Sequence, residues 1–558
     1  MRAIPARQRV RTGLARGAAA AAVLITAAAC TNATANTSPT SSPSRSSGTS
    51  GTDGTNATGA SAAGSGGLVV ATADGAVRGK AVAATDEYLG IPYAAPPVGA
   101  LRWQPPKPPA SWHGVRSAAS FAPHCPQPSS AFGVASTSED CLYLNVFTPA
   151  GTQGIQGARD LPVMVWVHGG SLRTGASEFY NPTGLVGHGV IVVTINYRLG
   201  ALGFLADSAL ASRPGGPSGN YGLMDQQAAL RWVQRNIRGF GGNPRNVTLF
   251  GESAGGLSTL SQLVSPGARG LFQRAIVESG SYNPKQQALA TAEAAGQAFA
   301  TKAGCASNTA SCLRALPVST ILANEDPVGY TPDVDGVVLR QSVKTALASG
   351  QFNRVPVMTG TNHDEYRLFV AIFALIGAKV TAANYQNMIA NTLNVSAAAA
   401  ATIAARYPLS HFSSPSVALG AVGTDAIFAC HALSFDESLS RYVPTYAYEF
   451  NDENAPELFL PPVGFPYGAA HASELQYLFS QTAVPYPAEL TAAQQQLAAA
   501  MKQDWTTMAK VGVPAAGWPQ FTSASQRMLS LVPPRPQVET NFSAQHQCSF
   551  WTTAEANR

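Results

Sequence analysis

A serine between two glycines lies in the stretch of this sequence best suited to chemistry. The apolar run Val247–Phe250 is followed by Gly251–Gly255, which reads G-E-S-A-G. This order predicts a strand, a sharp turn that carries Ser253, and a helix. Glycines permit the unusual backbone angles that such a turn needs, and the first N–H groups of the helix can stabilise negative charge on a carbonyl. The pattern predicts a nucleophilic serine, but a plain Gly-Ser loop also matches it.

A serine hydroxyl needs a histidine base, and the base needs an orienting carboxylate. On the type of sheet that carries a G-x-S-x-G turn, the acid and then the histidine follow the serine along the chain. Asp364 and Glu365 come directly after the apolar run Val355–Met358, and both qualify as the acid. Asp333 and Asp335 are the alternative pair, although a neighbouring proline and glycine favour a turn there.

The base must follow the acid, which leaves four of the nine histidines: His411, His431, His471 and His546. Small residues at 468–470 precede His471 and would keep its ring accessible. His431 adjoins Cys430 in an apolar segment, which favours a packed ring. Local features therefore favour His471 over His546 as the base.

A glycine-rich loop supplies the remaining part of an acyl-transfer site. The apolar run Val163–Val167 ends in His168-Gly169-Gly170-Ser171, which resembles the H-G-G-G loop of lipases and esterases. The N–H groups of Gly170 and Ser171, together with that of Ala254, would provide three donors for an oxyanion. A glycine-rich turn at a strand end is the alternative interpretation.

The elements that must position these residues follow an alternating pattern. Four short runs are apolar on both faces, as buried parallel strands are: Val163–Val167, Val190–Ile195, Val247–Phe250 and Val355–Met358. Asp225–Arg238 has apolar residues at helical spacing. The pattern predicts an α/β fold with a large, mostly parallel central sheet flanked by helices. All the motifs above follow strand ends, where such sheets bind ligands, and residues 381–416 look like an excursion from the sheet.

The N-terminus reads as an export signal. Five of the first sixteen residues are arginines, which supply much of the formal net charge of +5, so the charge does not indicate a nucleic-acid partner. The apolar run Gly17–Ala29 is too short for a permanent membrane span. Its end, followed by Cys30, resembles the lipobox of bacterial lipoproteins, with secretion after cleavage at an alanine as the alternative.

The 558 residues therefore divide into three expected parts. Residues 1–29 form a lipoprotein-type signal peptide, and residues 30–67 form a flexible tether rich in Ser, Thr and Gly. Residues 68–558 form one catalytic domain. We expect an exported protein, either a cell-surface lipoprotein or a secreted one, whose only membrane contact is a lipid on Cys30.

Six cysteines follow Cys30, and an even number in an exported chain suggests disulfides. Fifteen pairings are possible, and pairing of nearest neighbours gives Cys125–Cys141, Cys305–Cys312 and Cys430–Cys548. The spacing of these cysteines does not match that of a zinc site. We expect neither a metal nor an organic cofactor.

A set of segments in a fixed order gives the chain a recognisable family likeness. They are Tyr88–Gly99, Glu139–Val146, Val165–Gly170, Asn196–Gly200, Gly219–Gln226, Phe250–Gly256, Glu278–Ser281 and Trp518–Pro519. With them the chain resembles the type-B carboxylesterase and lipase family, which includes the cholinesterases, and looks like a bacterial exported member. The resemblance covers nearly all of Leu68–Cys548.

The resemblance implies an α/β-hydrolase fold with long excursions around an active-site gorge. It implies Ser253 as nucleophile, His471 as base and Glu365 rather than Asp364 as the acid. It also implies an oxyanion hole made by the N–H groups of Gly170, Ser171 and Ala254. These residues stand at the family's motif positions, but Ser171 replaces a common third glycine.

The family likeness further implies a serine near the triad at Ser279 and the three nearest-neighbour disulfides. It implies ester hydrolysis through an acyl-enzyme, by a protein that we expect to be a monomer. The family's choline-binding tryptophan is missing from Pro126–Asp140, where the only aromatic residue is Phe132. This favours neutral short- to medium-chain esters over choline esters. The alternative function is that of relatives that keep the fold as non-catalytic surface-binding modules.

Overall fold

The structure is a computed structural model that describes residues 68–152, 160–211, 216–307, 309–326 and 329–556. The signal peptide, the lipidation site Cys30 and the tether, all expected within residues 1–67, lie outside the described residues. Within the described part, the strands that precede the predicted motifs belong to one large sheet.

Eleven strands of the described chain form this central sheet. Numbered in chain order, they are β1 Lys80–Val82, β2 Thr85–Pro92, β3 Tyr143–Pro149, β4 Leu161–Val167, β5 Ile191–Ile195, β6 Gly242–Glu252, β7 Arg274–Glu278, β8 Val357–Asn362, β9 Thr445–Phe450, β10 Met528–Leu531 and β11 Gln537–Glu539. Their spatial order is β11-β10-β9-β8-β7-β6-β4-β5-β3-β2-β1. The six pairs from β10 to β5 are parallel, and the outer four pairs are antiparallel. The predicted α/β class with a mostly parallel sheet is confirmed.

Alternation of side chains along β4 shows why these runs are strands. Val163 and Val165 belong to one core cluster, whereas Met164 and Trp166 belong to another. Successive side chains of a strand point to opposite faces, so both faces of the sheet are covered by packed side chains. This is why the run is apolar throughout instead of alternating with polar residues.

The fourth predicted strand differs in position from the observed one. β8 begins at Val357, two residues later than predicted, because Pro356 has no N–H group for the strand ladder. It also continues to Asn362 through polar residues that the pattern did not include. Thr361 and Asn362 are nevertheless buried, and their side-chain donors, Thr361 Oγ1 and Asn362 Nδ2, are hydrogen-bonded near the site described below.

Seventeen α-helices surround the sheet in the described residues. They are Thr183–Val186, Gly200–Phe204, Tyr221–Asn236, Ala254–Val264, Leu289–Lys302, Ala310–Ala315, Val318–Asn324, Val343–Ala348, Arg367–Leu375, Tyr385–Leu393, Ala397–Arg406, Pro415–Gly423, Cys430–Leu439, Leu475–Leu478, Ala492–Val511, Phe542–Gln545 and Cys548–Ala556. The helix predicted at Asp225–Arg238 begins four residues earlier, after the left-handed Asn220, and ends in the 3₁₀ turn Ile237–Phe240.

Three small sheets lie outside the central sheet in the described residues. A three-stranded sheet contains Val69–Thr72, Gly75–Arg78 and Val115–Ser117, and two-residue strands pair as Tyr180–Asn181 with Ser480–Gln481 and as Gln287–Ala288 with Asp333–Val334. The pair of Tyr180–Asn181 with Ser480–Gln481 is near the serine turn, because Tyr180 and Gln481 line the same cavity as Ser253.

The expected excursion at residues 381–416 is helical and contributes to a separate core cluster with Phe369, Tyr407 and Trp551. A continuous helical stretch, Pro415–Leu439, follows it and includes the π-helical turn Thr424–Ala429. Its length and mean hydropathy of 1.4 would suffice for a membrane span, but 67% of its most apolar window is buried against the rest of the protein. It is packed as an internal helix.

Three disulfides join the six cysteines of the described chain. They are Cys125–Cys141, Cys305–Cys312 and Cys430–Cys548. The third spans 118 residues and connects the helix Cys430–Leu439 to the last helix, Cys548–Ala556. Since a cross-link restricts the unfolded chain more when its loop is longer, this bridge should stabilise the fold most.

We expect the pair Cys430→Ala/Cys548→Ala to lower the free energy of unfolding by about 5 kcal/mol, against about 2 kcal/mol for Cys305→Ala/Cys312→Ala, whose loop spans 7 residues. Urea unfolding followed by circular dichroism measures both. Equal losses for the two pairs, or a larger loss for the short loop, would contradict the prediction.

Candidate active site

The serine turn joins β6 to the helix Ala254–Val264. Ser253 has φ 55° and ψ −117°, a backbone conformation that residues other than glycine rarely adopt. The surrounding backbone holds it there, because Ser253 N–H donates to the Glu278 carbonyl (2.9 Å) and the Ser253 carbonyl accepts from Leu257 N–H (2.8 Å). The serine thus stands in a strained position that is fixed from both sides.

The glycines of the turn are required by a close approach of the helix to β4. A Cβ atom on Gly255 would lie 1.9 Å from the Val167 carbonyl oxygen, and one on Gly251 would lie 2.6 Å from the same oxygen. Both contacts are with backbone, which cannot rotate away. Any side chain at these positions would therefore push the helix from the strand.

His471 and Glu365 are in direct contact. His471 Nδ1 lies 2.5 Å from Glu365 Oε2, and His471 N–H donates to the Glu365 carbonyl (3.3 Å). The other carboxylate oxygen, Glu365 Oε1, accepts from Thr361 Oγ1 (2.7 Å) and from Asn362 N–H (2.8 Å). Because Glu365 is fully buried, these bonds fix the direction of its carboxylate.

The other nitrogen of the ring faces a second carboxyl group. His471 Nε2 lies 3.2 Å from Glu252 Oε1, while Ser253 Oγ has no hydrogen bond with any described residue. Catalytic hydrogen bonds often tighten only when substrate is bound. Ser253 and His471 line the same cavity, where a bound substrate would meet both.

The site contains a group of buried glutamates. Burial raises the pKa of Glu252 well above its usual range. Burial, reinforced by a neighbouring carboxylate, raises the pKa of Glu278 to about 8 and that of Glu474 to about 7. Trp505 Nε1 donates to Glu278 Oε1 (2.9 Å), so this carboxyl is also held in place.

Glu252 and Glu365 both act on the histidine. Burial lowers the pKa of His471, but the charges of Glu252 and Glu365 raise it, and the result is a pKa of about 9. Glu365 at Nδ1 and Glu252 at Nε2 thus each favour a proton on the nitrogen that they face. The proton affinity of the base is set by the site and not by the ring alone.

The loop after β4 has a conformation suited to binding an anion. Gly170, Ser171 and Leu172 have consecutive positive φ values of 98°, 57° and 56°. A Cβ on Gly170 would lie 2.2 Å from the Thr174 carbonyl oxygen. The N–H groups of Gly170, Ser171 and Ala254 donate no hydrogen bond within the described part of the chain, so they remain available to a ligand.

A largely apolar cavity opens beside Ser253 and His471. Its aromatic wall includes Phe132 and Phe459, whose ring centroids are 5.1 Å apart. The ring of Phe369 lies 5.3 Å from that of His471. Such a wall excludes water from the histidine and suits an apolar substrate.

The other acid candidates lie away from the histidine. Asp364 forms an ion pair with Arg367 (2.8 Å) and accepts from Ala469 N–H (3.1 Å). Asp335 Oδ1 accepts N–H groups from three consecutive residues, Val337–Leu339, so Asp335 belongs to a turn, whereas Asp333 lies in the short strand Asp333–Val334. Ser279 lies between β7 and Gly280, and its Oγ has no hydrogen-bond partner within the described residues.

His546 and His431 are also separate from the serine. His546 Nδ1 lies 2.6 Å from Asp425 Oδ1, and its Nε2 lies 2.6 Å from Glu449 Oε1. His431 is half-buried, with Nδ1 2.9 Å from the Ile427 carbonyl. Of the candidate bases in the sequence, the structure brings only His471 to the cavity that contains Ser253.

The cluster His363, Glu449 and His546 has residue types that can bind a metal. However, His363 Nδ1 and His546 Nε2 lie 2.8 and 2.6 Å from the same oxygen, Glu449 Oε1. Two ligands of a tetrahedral zinc ion would be roughly 3.3 Å apart. Burial lowers the pKa of His546, but Asp425 and Glu449 raise it to about 10. The spacing and charge fit hydrogen-bonded ion pairs.

Sequence reasoning missed several residues that line or adjust the site. Glu252 stands inside the G-x-S-x-G motif, where its position next to the serine was a usable signal. Phe369 lies in the helix Arg367–Leu375, directly after the acidic pair. No local pattern marked Phe459 or Arg173, because their roles in the wall of the cavity depend on the tertiary fold.

Comparisons with known proteins agree with this site. A profile of the Carboxylesterase family matches residues 67–551. The para-nitrobenzyl esterase of Bacillus subtilis (strain 168) is 36% identical over 488 residues, which cover 83% of this chain and 94% of that protein. The cocaine esterase of Homo sapiens is 34% identical over 506 residues, covering 85% and 88%.

A solved structure of PNB esterase superposes with a TM-score of 0.72 at 32% sequence identity, and the match covers 86% of this chain and 99% of that one. That fold confirms the predicted α/β-hydrolase architecture. The chain therefore belongs to the carboxylesterase family and is a serine hydrolase that cleaves carboxylic esters.

Proposed function

We propose that Ser253, His471 and Glu365 form the catalytic triad of this esterase. The observation that carries the proposal is the 2.5 Å contact between Glu365 Oε2 and His471 Nδ1 at the cavity that contains Ser253. Glu365 fixes the tautomer in which Nε2 can accept a proton, and its charge stabilises the imidazolium that forms.

Acylation begins when His471 Nε2 takes the proton from Ser253 Oγ, which attacks the ester carbonyl carbon. His471 then gives this proton to the alcohol oxygen as the acyl–oxygen bond breaks. In the second half, water attacks the acyl-enzyme, with His471 again accepting and returning the proton. The balance is one ester and one water to one acid and one alcohol.

The oxyanion that forms in each half would be bound by the N–H groups of Gly170, Ser171 and Ala254. Their lack of other partners in the described chain supports this role. Loss of one such donor typically costs roughly 2.7–4 kcal/mol of transition-state stabilisation. The serine at position 171 retains its N–H group, and its φ of 57° places that group in the left-handed loop.

We propose short- to medium-chain esters as the substrates. Its wall includes Phe132, Phe369 and Phe459, which favour apolar acyl or alcohol groups. Similarity to para-nitrobenzyl esterase supports aromatic esters as test substrates. Residues 126–140 contain no tryptophan to bind a quaternary ammonium group. We infer a monomer that needs no cofactor.

We infer that the protein is exported, because its three disulfides persist in oxidising compartments. Attachment to the membrane would be through a lipid on Cys30. The alternative outcome is a secreted protein released by cleavage at an alanine.

Hydrolysis of 4-nitrophenyl esters from acetate to palmitate tests the nucleophile. We expect Ser253→Ala to reduce kcat by at least about 10⁴-fold, because attack by Oγ is lost. The matched control is Ser281→Ala, which removes another buried hydroxyl near the site. Turnover that survives in folded Ser253→Ala protein would refute the triad, and a maximum at palmitate would refute the short- to medium-chain preference.

The pH dependence of kcat/KM tests the role of Glu252. Activity requires neutral His471, so kcat/KM should rise with pH as this group loses its proton. Glu252→Gln removes a carboxylate that raises the pKa of His471, and the acidic limb should therefore move to lower pH by roughly one unit. Glu278→Gln, a buried carboxyl that does not act on His471, is the control. An unmoved limb would contradict the electrostatic role.

Fractionation of cells that express the full chain tests the anchor. We expect the protein in the membrane fraction and its release from that fraction in Cys30→Ser, because no thioether to lipid can form. The control is Ser42→Ala, a change within the same tether. Equal distribution of both variants would show that Cys30 does not anchor the protein.

A further inference from the structure

Besides the histidine, the wall of the substrate cavity contains one basic side chain among the described residues that line it. This is Arg173, which lies two residues after Ser171 of the oxyanion loop. Its side chain is 13% exposed. Placing a cation in a largely apolar cavity costs free energy unless the cation has a partner. The position of Arg173 therefore requires an explanation.

Glu325 holds Arg173 through a single atom. Arg173 Nε donates to Glu325 Oε2 at 3.3 Å. The other oxygen, Glu325 Oε1, accepts from Ala201 N–H at 2.8 Å, and the carboxylate is 2% exposed. The acid is thereby fixed to the backbone of the helix Gly200–Phe204, and it fixes the guanidinium in turn.

The two terminal nitrogens of Arg173, Nη1 and Nη2, make no hydrogen bond with the described residues. Two structural arginines of the same chain differ. Arg102 binds both oxygens of Glu139 and two backbone carbonyls, and Arg198 binds both oxygens of Asp225. Most guanidinium nitrogens of Arg102 and Arg198 bind other parts of the protein, whereas most guanidinium nitrogens of Arg173 bind no described residue.

An arginine held through Nε presents its Nη groups as a planar fork, which matches the two oxygens of a carboxylate. The apolar walls near it would strengthen such a pair by excluding water.

We propose that Arg173 is a specificity-determining residue that binds a carboxylate on the ester substrate. The preferred substrate is then an ester with an apolar body and an anionic end. This inference rests on the proposed function, because it concerns the same cavity and the same reaction. It replaces the expected neutral ester by one that carries a carboxylate at one end. The ester bond that reacts is the same.

Two pairs of esters of matched shape test the proposal. One pair is 4-acetoxybenzoate and 4-acetoxybenzamide, which differ in charge on the alcohol side. The other is the 4-nitrophenyl monoester of glutaric acid and its neutral amide, which differ on the acyl side. The measured quantity is the ratio of kcat/KM for the anionic ester to that for its neutral partner, with the full chain at low salt.

We expect the wild-type ratio to favour the anion in at least one pair. In Arg173→Met/Glu325→Gln, which removes the cation without leaving an unpaired buried carboxylate, this ratio should fall by about tenfold to a hundredfold. Arg173→Lys, which keeps the charge but not the fork, should give an intermediate ratio. The double variant leaves the net charge unchanged, and Arg340→Met is the control for loss of a cation elsewhere, since Arg340 is exposed and lines a different cavity.

The proposal is overturned if the wild-type enzyme does not favour the anion in either pair, or if the ratio is the same in the double variant. Circular dichroism checks the fold of each variant, and Arg173→Lys alone decides if the double variant does not fold. Failure of the proposed function is distinguishable, because then no ester of either charge would be cleaved in a Ser253-dependent manner.

Discussion

The site depends on the contact between the backbone of the helix Ala254–Val264 and the end of β4. Gly255 leaves no room for a side chain against the Val167 carbonyl. This contact brings the start of the helix, with the Ala254 N–H, next to the loop that follows β4. It also forces the turn in which Ser253 has φ 55°. One tight backbone approach thereby assembles the proposed nucleophile and the proposed anion-binding groups.

His471 reaches this assembly from a distant part of the chain, and ion pairs hold the two residues that precede Glu365, the proposed acid. Asp364, directly before Glu365, binds Arg367 and the Ala469 N–H group. One residue earlier, His363 Nδ1 lies 2.8 Å from Glu449 Oε1 on β9. The acid loop is therefore tied to the neighbouring strand and to the segment that carries the histidine, and it has little freedom to move.

Much of the fold could be predicted from the sequence, and so could the residues now proposed for catalysis, because those signals are local. The apolar runs and the G-x-S-x-G turn are contiguous patterns. The choice of Glu365 over Asp364 needed the family resemblance, since both carboxylates follow the same strand. The contact of His471 with Glu252 and the cation at Arg173 could not be predicted. The pairs His471–Glu252 and Arg173–Glu325 join residues more than 150 positions apart in sequence, and no local pattern indicates such pairs.

The disulfide Cys430–Cys548 closes a covalent ring that contains His471. The shorter bridge Cys125–Cys141 likewise encloses residues 128–134 of the cavity wall. A protease that cuts the chain once inside either ring would leave both new ends attached to the same molecule. A single nick in these segments would therefore not release a fragment, and the proposed base would remain linked to the proposed acid and nucleophile.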